Sequence, residues 1–281
     1  MPELPEVETI REDLAPLILG RVIERVVICP DPKGARLLRR YPSERKFIRR
    51  LRGKKIVSLK RRGKYLLFGL DSGDILIIHL GMSGRLLLAQ AGDGTPAYAR
   101  CFFQLSGCDR LYFIDPRKFG EAYLFSESRK DTSMNPFRLG PEPLGPNFTS
   151  KRLRDILSRR KSPIKSILLN QSNLAGLGNI YTDEALFRAR VHPLRIGSTL
   201  SPKEAGALHR AIRGVLKEAI GHRGTTATDG RYRDGKGRSG KFQFRLKVYQ
   251  RRGEPCSCCG AKIRSVTIGG RTAHFCPRCQ K

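Results

Sequence analysis

Four cysteines near the end of the chain, Cys256, Cys259, Cys276 and Cys279, stand as C-x2-C, sixteen residues, C-x2-C, and no other feature limits the fold as strongly. Four thiolates at that spacing can close tetrahedrally around one ion, and a closed four-cysteine site is structural rather than catalytic. One structural Zn2+ is therefore expected. Two redox pairs are the competing reading, but their placement around a short hairpin favours zinc. Cys258 could replace a neighbour as ligand, although the regular spacing favours Cys256 and Cys259. Cys29, Cys101 and Cys108 read as small buried residues. Between the pairs, Lys262 to Thr267 and Arg271 to Phe275 read as two strands joined around Gly269-Gly270. Arg271 then sits beside the tip of a metal-stapled hairpin, and the readings of a solvated arginine and one placed to enter a groove weigh about evenly.

Upstream, the segments Arg21 to Ile28, Lys54 to Leu70, Asp74 to Leu80, Arg85 to Leu88, Cys101 to Leu105 and Arg110 to Ile114 are short, β-rich and separated by Gly, Asp or Ser. They read as strands of an antiparallel sandwich or barrel. The run Leu139-Gly-Pro-Glu-Pro-Leu-Gly-Pro146 cannot continue a helix or a central strand, so a domain junction is placed there. Helical spacing follows, ending in Pro202 to Ile220 with Ala205, Leu208, Ile212 and Val215 on one apolar face. Asn170 to Asn179 forms a polar, glycine-bearing joint leading into a helix, whose amides could meet a phosphate. From Gly221 to Lys241 the chain is Gly/Arg-rich, a flexible linker by default and a mobile lid on the sharper reading.

Fifty-five Lys and Arg against 25 Asp and Glu give a formal charge of +30. Such a chain attracts polyanions, nucleic acid foremost, with acidic membranes or ribosomal RNA also fitting the charge alone. The charge is clustered: fourteen basic residues against one acid from Arg36 to Lys64, and fifteen against three from His222 to Lys281. Two such blocks on a folded chain look like the lining of a groove. The apolar runs Ile75 to Leu80 and Leu86 to Ala89 are too short to span a bilayer, and the acidic N-terminus lacks the pattern of a signal peptide. A cytoplasmic, nucleoid-associated protein with reduced or metal-bound cysteines is expected, with no membrane partner.

The chain opens Met1-Pro2-Glu3-Leu4-Pro5-Glu6-Val7-Glu8. Pro5 at the first helical position, acids in the first turn, and Val7, Ile10, Leu14 and Leu17 at helical spacing describe an amphipathic helix start. The same residues describe a nucleophile. Removal of Met1 would leave a secondary amine flanked by carboxylates, and an amine attacking an aldehyde-like carbon forms a Schiff base. The positive end of the helix dipole disfavours a protonated amine beside it. On this stretch alone the plain helix start is preferred.

Seven motifs, in order from first residue to last, carry a resemblance. Met1-Pro-Glu-Leu-Pro-Glu-Val-Glu-Thr9, Arg62-Gly-Lys-Tyr-Leu-Leu67, His79-Leu-Gly-Met-Ser-Gly84, Asp115-Pro-Arg-Lys-Phe-Gly120, Leu139-Gly-Pro-Glu-Pro-Leu144, Gly176-Leu-Gly-Asn-Ile-Tyr181 and the hairpin ending Cys276-Pro-Arg-Cys-Gln-Lys281 resemble formamidopyrimidine-DNA glycosylases. The resemblance implies a bifunctional glycosylase and AP lyase of base excision repair. Such an enzyme removes oxidised purines, 8-oxoguanine and formamidopyrimidines, from double-stranded DNA and then nicks the strand by β,δ-elimination. It also implies a multidomain α and β fold: an N-terminal antiparallel β-sandwich with flanking helices (1–139), a helical helix-two-turn-helix domain with a lesion-capping loop (140–240), and a C-terminal four-cysteine zinc-finger hairpin (241–281). A monomer is expected by the same analogy.

Carried onto matching positions, the resemblance makes Pro2 the Schiff-base nucleophile attacking C1′, Glu3 the acid that opens the sugar, and Glu6 a supporting carboxylate. Lys64 would contact phosphate and donate a proton in β-elimination, and Arg271 would serve δ-elimination. Met82 and Phe119 would wedge into the base stack left by extrusion, while Arg117 reads the orphaned cytosine. Lys161 and Asn179 match phosphate contacts, and Thr225 to Phe242 matches the loop that closes over the flipped base. Tyr98 stands where the family often has a histidine; tyrosine can hydrogen-bond phosphate but carries no positive charge. The Asp234-Gly-Lys-Gly-Arg-Ser-Gly stretch is more basic and glycine-rich than the family pattern, which bears on base preference. The rival endonuclease VIII-like reading, for oxidised pyrimidines, is opposed by Leu4 and the Met82/Arg117/Phe119 set. A non-catalytic zinc-containing nucleic-acid-binding protein would leave Pro2, Glu3 and Lys64 without a reason to occur together.

Overall fold

The computed structural model describes residues 2–30, 37–38, 43–90, 92–126, 138–227 and 230–281. Met1 and the Arg36, Arg39 and Arg40 part of the first basic block lie outside them. The chain divides into two compact units, one built from residues 1–137 and 223–241, the other from 138–222 and 242–281.

In the first unit, helix α1 (Leu4–Ile18) starts one residue earlier than the sequence pattern suggests, with Glu3 as its N-cap and Pro5 in second place. Proline costs nothing there, because the first four N–H groups of a helix have no intrahelical partner. Leu4, Val7, Ile10, Leu14 and Ile18 are fully buried, whereas Leu17 is exposed. Four residues on from Leu14 is Ile18, so the 3.6-residue period assigns the last core position to Ile18 rather than Leu17. Each such buried side chain contributes about 1.5–3 kcal/mol.

Strands β1 (Val22–Ile28), β2 (Lys54–Arg62), β3 (Tyr65–Leu70), β4 (Asp74–His79), β5 (Arg85–Gln90), β6 (Ala99–Leu105), β7 (Asp109–Ile114) and β8 (Glu121–Ser126) pair antiparallel in the order β5-β7-β6-β1-β2-β3-β4-β8. The β1–β2 junction has only the pairs Val22↔Lys55 and Ile23↔Lys54, so the sheet folds there into two four-stranded layers of a sandwich. The segment Lys54 to Leu70 is two strands rather than one, turned at Gly63-Lys64 between the paired Arg62 and Tyr65. Strand β8 and the short helix α2 (Glu44–Leu51), capped by Ser43, add to the elements that the sequence pattern suggests. Strand β8 lacks alternation because four of its six residues are buried. Cys101 is buried as expected, and burial pushes its thiol up, but Cys108 is exposed in a turn.

The second unit holds α3 (Ser150–Ser158), α4 (Ile164–Leu169), α5 (Asn179–Arg188), α6 (Pro202–Gly221) and the hairpin β9 (Arg264–Ile268) and β10 (Arg271–Phe275). Ser201 and Glu204 form a capping box on α6, and Ala205, Leu208, Ile212 and Val215 are buried. The 139–146 run is packed rather than loose: Gly140 N–H donates to Gln171 C=O (2.8 Å) and Arg213 Nη1 to Pro143 C=O (3.0 Å). No helix among the described residues is long and apolar enough to cross a membrane.

Candidate functional site

At the start of α1, Pro2, Glu3 and Glu6 are all buried. Glu6 reaches back to accept the N–H of Glu3 (2.8 Å), half of a capping box, and its other oxygen accepts the N–H of Thr225 (2.7 Å). Hydrogen bonds to a charged group contribute about 1.5–3 kcal/mol each, so this carboxylate is firmly placed. The 223–241 segment approaches closely here: a Cβ on Gly224 would lie 2.8 Å from Glu6 Oε1, and the residue holds φ +77. Tyr232 donates to the Arg223 C=O (3.1 Å), and burial, then the charge of Glu6, hold its phenol well above the usual range.

The same segment is tied along α1 by charge. Arg223 bonds both Asp13 of α1 and Asp234, and Arg238 reaches Asp234 (3.1 Å). Burial opposes ionisation of Asp234, but N–H groups of Arg238 and Lys236 and the Arg223 guanidinium prevail and lower its pKa. What reads as a glycine-rich linker is thus anchored in the first unit.

Lys64 is buried (7% exposed) in the two-residue β2–β3 turn, next to the half-buried Arg61 and Arg62 at the end of β2. Helix α1 fixes that strand end: Arg61 Nε bonds Glu8 Oε2 (2.6 Å), and Arg61 Nη1 bonds the Gly63 C=O (3.0 Å). Burial raises the Glu8 pKa, but Arg11 and Arg61 outweigh it and the net shift is downward.

Elsewhere in the first unit Met82, Tyr98, Arg117 and Phe119 are exposed, Tyr98 by 65% and Phe119 by 48%. Met82 lies in the turn after β4, and Arg117 and Phe119 in the turn after β7. The turns touch, because a Cβ on Gly81 would fall 2.5 Å from both the Gly120 nitrogen and the Phe119 carbonyl carbon. The Arg117 guanidinium lies 5.4 Å from the Phe119 ring centroid, within cation–π range.

In the second unit, Cys256, Cys259, Cys276 and Cys279 gather with all four sulfurs within 4.8 Å of one another. The separations of 3.9 Å (Cys256–Cys279) and 3.5 Å (Cys259–Cys276) bracket the roughly 3.8 Å edge of a tetrahedron with 2.3 Å metal–sulfur bonds. The donor set therefore fits a metal ion, and Cys258 is exposed outside it. Arg271 is exposed at the start of β10, paired with Ile268 across the Gly269-Gly270 turn. The next carbonyl, Thr272 C=O, accepts from Lys165 Nζ (2.8 Å) and Asn179 Nδ2 (3.0 Å). Lys165 is wholly buried and bonds Asp183 (2.6 Å), whose other oxygen accepts the His274 N–H (2.9 Å). Lys165, Asp183 and Glu184 escaped sequence reasoning. Glu184, buried in α5, accepts N–H groups of Lys247, Val248 and Tyr249, and burial raises its pKa despite them. Lys161 is exposed, and in the 170–179 joint the Gly176 N–H is taken by Gln171 (2.9 Å) rather than left open.

Three family descriptions match the chain in order: formamidopyrimidine-DNA glycosylase N-terminal domain over 1–122, formamidopyrimidine-DNA glycosylase H2TH domain over 139–230, and the zinc finger found in FPG and IleRS over 253–281. The formamidopyrimidine-DNA glycosylase of Pelotomaculum thermopropionicum is 44% identical over 100% of this chain and 99% of its own. The crystal structure of the MutM (Fpg) protein from Thermus thermophilus superposes with TM-score 0.87 at 42% identity, covering 99% of this chain and 98% of that one. A variant of the Lactococcus lactis FPG protein, in complex with DNA containing Fapy-dG, superposes with TM-score 0.90 at 35% identity over all of both chains.

Proposed function

The chain belongs to the formamidopyrimidine-DNA glycosylase family, and from that membership we propose how its own residues carry out excision of oxidised purines and nicking of the DNA strand. Once Met1 is removed, the Pro2 nitrogen attacks C1′ of the damaged nucleotide, and the N-glycosidic bond breaks as the oxidised base leaves. Glu3 protonates the sugar ring oxygen, the ring opens, and a positively charged imine joins C1′ to Pro2. That charge acidifies the C2′ proton; its loss expels the 3′ phosphate, and a second elimination expels the 5′ phosphate. Water then releases Pro2. Glu6 holds the N-terminal turn and orients water or sugar. Lys64 contacts phosphate and donates a proton in β-elimination, and Arg271 serves δ-elimination; both cations offset the charge of a departing phosphate.

Met82 and Phe119 wedge into the stack and Arg117 pairs with the orphaned cytosine, while Tyr98, Lys161 and Asn179 bind backbone phosphate. Cys256, Cys259, Cys276 and Cys279 hold one Zn2+ that closes the hairpin and takes no part in the chemistry. The working division is 1–139, 140–240 and 241–281, acting as a monomer on double-stranded DNA without a membrane. The observation that carries the reading is the burial of Pro2, Glu3 and Glu6 together at the start of α1.

Borohydride trapping tests it, on duplexes carrying 8-oxoguanine opposite cytosine or thymine glycol. A covalent adduct is expected on the first and is lost in Pro2→Gly. No adduct on either ends the Schiff-base assignment, and a strong preference for thymine glycol ends the purine assignment.

A further inference from the structure

Met82, Tyr98 and the Arg117–Phe119 pair sit on three turns that share one buried residue, Asp115, a side chain only 1% exposed. One carboxylate oxygen accepts the Ser83 hydroxyl (2.6 Å) and the Arg117 N–H (3.3 Å), and the other accepts the Gly120 N–H (2.6 Å). Its backbone joins in, with Asp115 N–H donating to the Tyr98 C=O (3.0 Å) and the Lys118 N–H donating to the Asp115 C=O (3.3 Å). Ser83 follows Met82 and Gly120 follows Phe119, so the carboxylate grips the neighbour of each apolar side chain and the backbone of Arg117 itself. Tyr98 adopts φ +63, unusual for a bulky residue, and is held there through the same aspartate.

We infer that Asp115 is the positioning residue of the DNA wedge, locking the turns of Met82, Arg117 and Phe119 into one rigid body. The inference rests on the reading of those three residues as the wedge. Every group facing the carboxylate is a donor, so an acceptor-only side chain is required; asparagine would set an N–H₂ against at least one N–H. Apolar side chains that part a base stack must not yield when the stack resists, and rigid support is what a buried, fully bonded carboxylate supplies.

The full-length, metal-loaded protein is compared on two substrates by borohydride trapping: duplex 8-oxoguanine opposite cytosine, which requires extrusion, and single-stranded abasic DNA, which does not. Asp115→Asn is expected to lower the duplex rate about tenfold more than the single-stranded rate, the size of one lost hydrogen bond to a charged group. Its preference for cytosine over adenine opposite the lesion is expected to fall as well. Ser83→Ala, which keeps the carboxylate, should show the same selective loss more weakly, and it serves as the test if Asp115→Asn does not fold. Equal losses on both substrates, or no loss on either, overturn the inference. The double variant Met82→Ala/Phe119→Ala separates the two readings: if it leaves the duplex-to-single-strand ratio unchanged, the wedge assignment itself fails, whereas a fall in that ratio without one in Asp115→Asn removes only Asp115.

Discussion

Each unit must hold short exposed segments in place; both use carboxylates that collect backbone N–H groups, Glu184 in the second unit among them, and the second adds four cysteine sulfurs. In the first, carboxylates collect backbone N–H groups: Glu6 joins the front of α1 to Thr225, and Asp115 joins the turns bearing Arg117 and Phe119. In the second, four cysteine sulfurs converge at the base of the hairpin that carries Arg271, backed by the buried Lys165–Asp183 pair. A carboxylate device needs a complete set of donors from distant parts of the chain. A four-thiolate device needs only an ion and two short motifs, so it can order a segment too small to bury a core of its own.

The largest test of this contrast is chelation of the metal-loaded protein. Apparent binding energies of structural zinc in small domains are about 10–16 kcal/mol, so hydrogen exchange across 253–281 should rise sharply while strands β1 to β8 stay protected. Cys276→Ser should do the same and weaken DNA binding. Unchanged protection in 253–281 would show that the hairpin needs no ion.

A smaller effect is expected from Lys165→Met. It leaves the buried Asp183 carboxylate without its cation and should cost about 3–5 kcal/mol, read by denaturant unfolding of the second unit. A loss below about 1 kcal/mol would mean that the N–H and ring of His274 suffice to carry that charge.

The smallest concerns Glu204, on the surface of the same unit. The Arg195 guanidinium, aided by the Ser201 N–H, holds its pKa down to about 2 against an ordinary 4.5. A depressed carboxylate pKa contributes stability that is complete above the unfolded value and fades as pH falls through the folded one. The melting temperature should therefore decline between about pH 5 and pH 2, and less steeply in Glu204→Gln. The pair is open to solvent, so the change should be slight. An unaltered slope would show that the Arg195 pair contributes nothing to the acid response.

The same contrast explains what can be read in the chain beforehand. The four-cysteine device is local in sequence, so its cysteines, hairpin and turn are all legible. Much of the sandwich is too, because alternating strands bounded by Gly and Asp carry their own period. The carboxylate devices are not, since the donors to Asp115 and Glu6 are backbone groups that any residue type supplies. Nothing in Thr225 or Gly120 advertises a partner 219 or five residues away. Lys165 and Asp183 stay hidden for a related reason: a lysine among Ile164, Ile167 and Leu168 reads as a solvated position until the fold shows it wholly buried. The 221–241 stretch reads as linker because composition reports flexibility of a free chain and not the ion pairs with Asp13 that cancel it.

The bond from Thr225 to Glu6 also has a consequence for biosynthesis. Translation from the N-terminus produces the eight described sandwich strands by residue 126, yet the Thr225 donor to Glu6 lies 219 residues downstream of it. At about 5–20 residues per second, the ribosome needs roughly another 5–20 s after strand β8 before Thr225 is made. Throughout that interval the nascent chain lacks the N–H that Glu6 accepts from residue 225, and the returning segment supplies it.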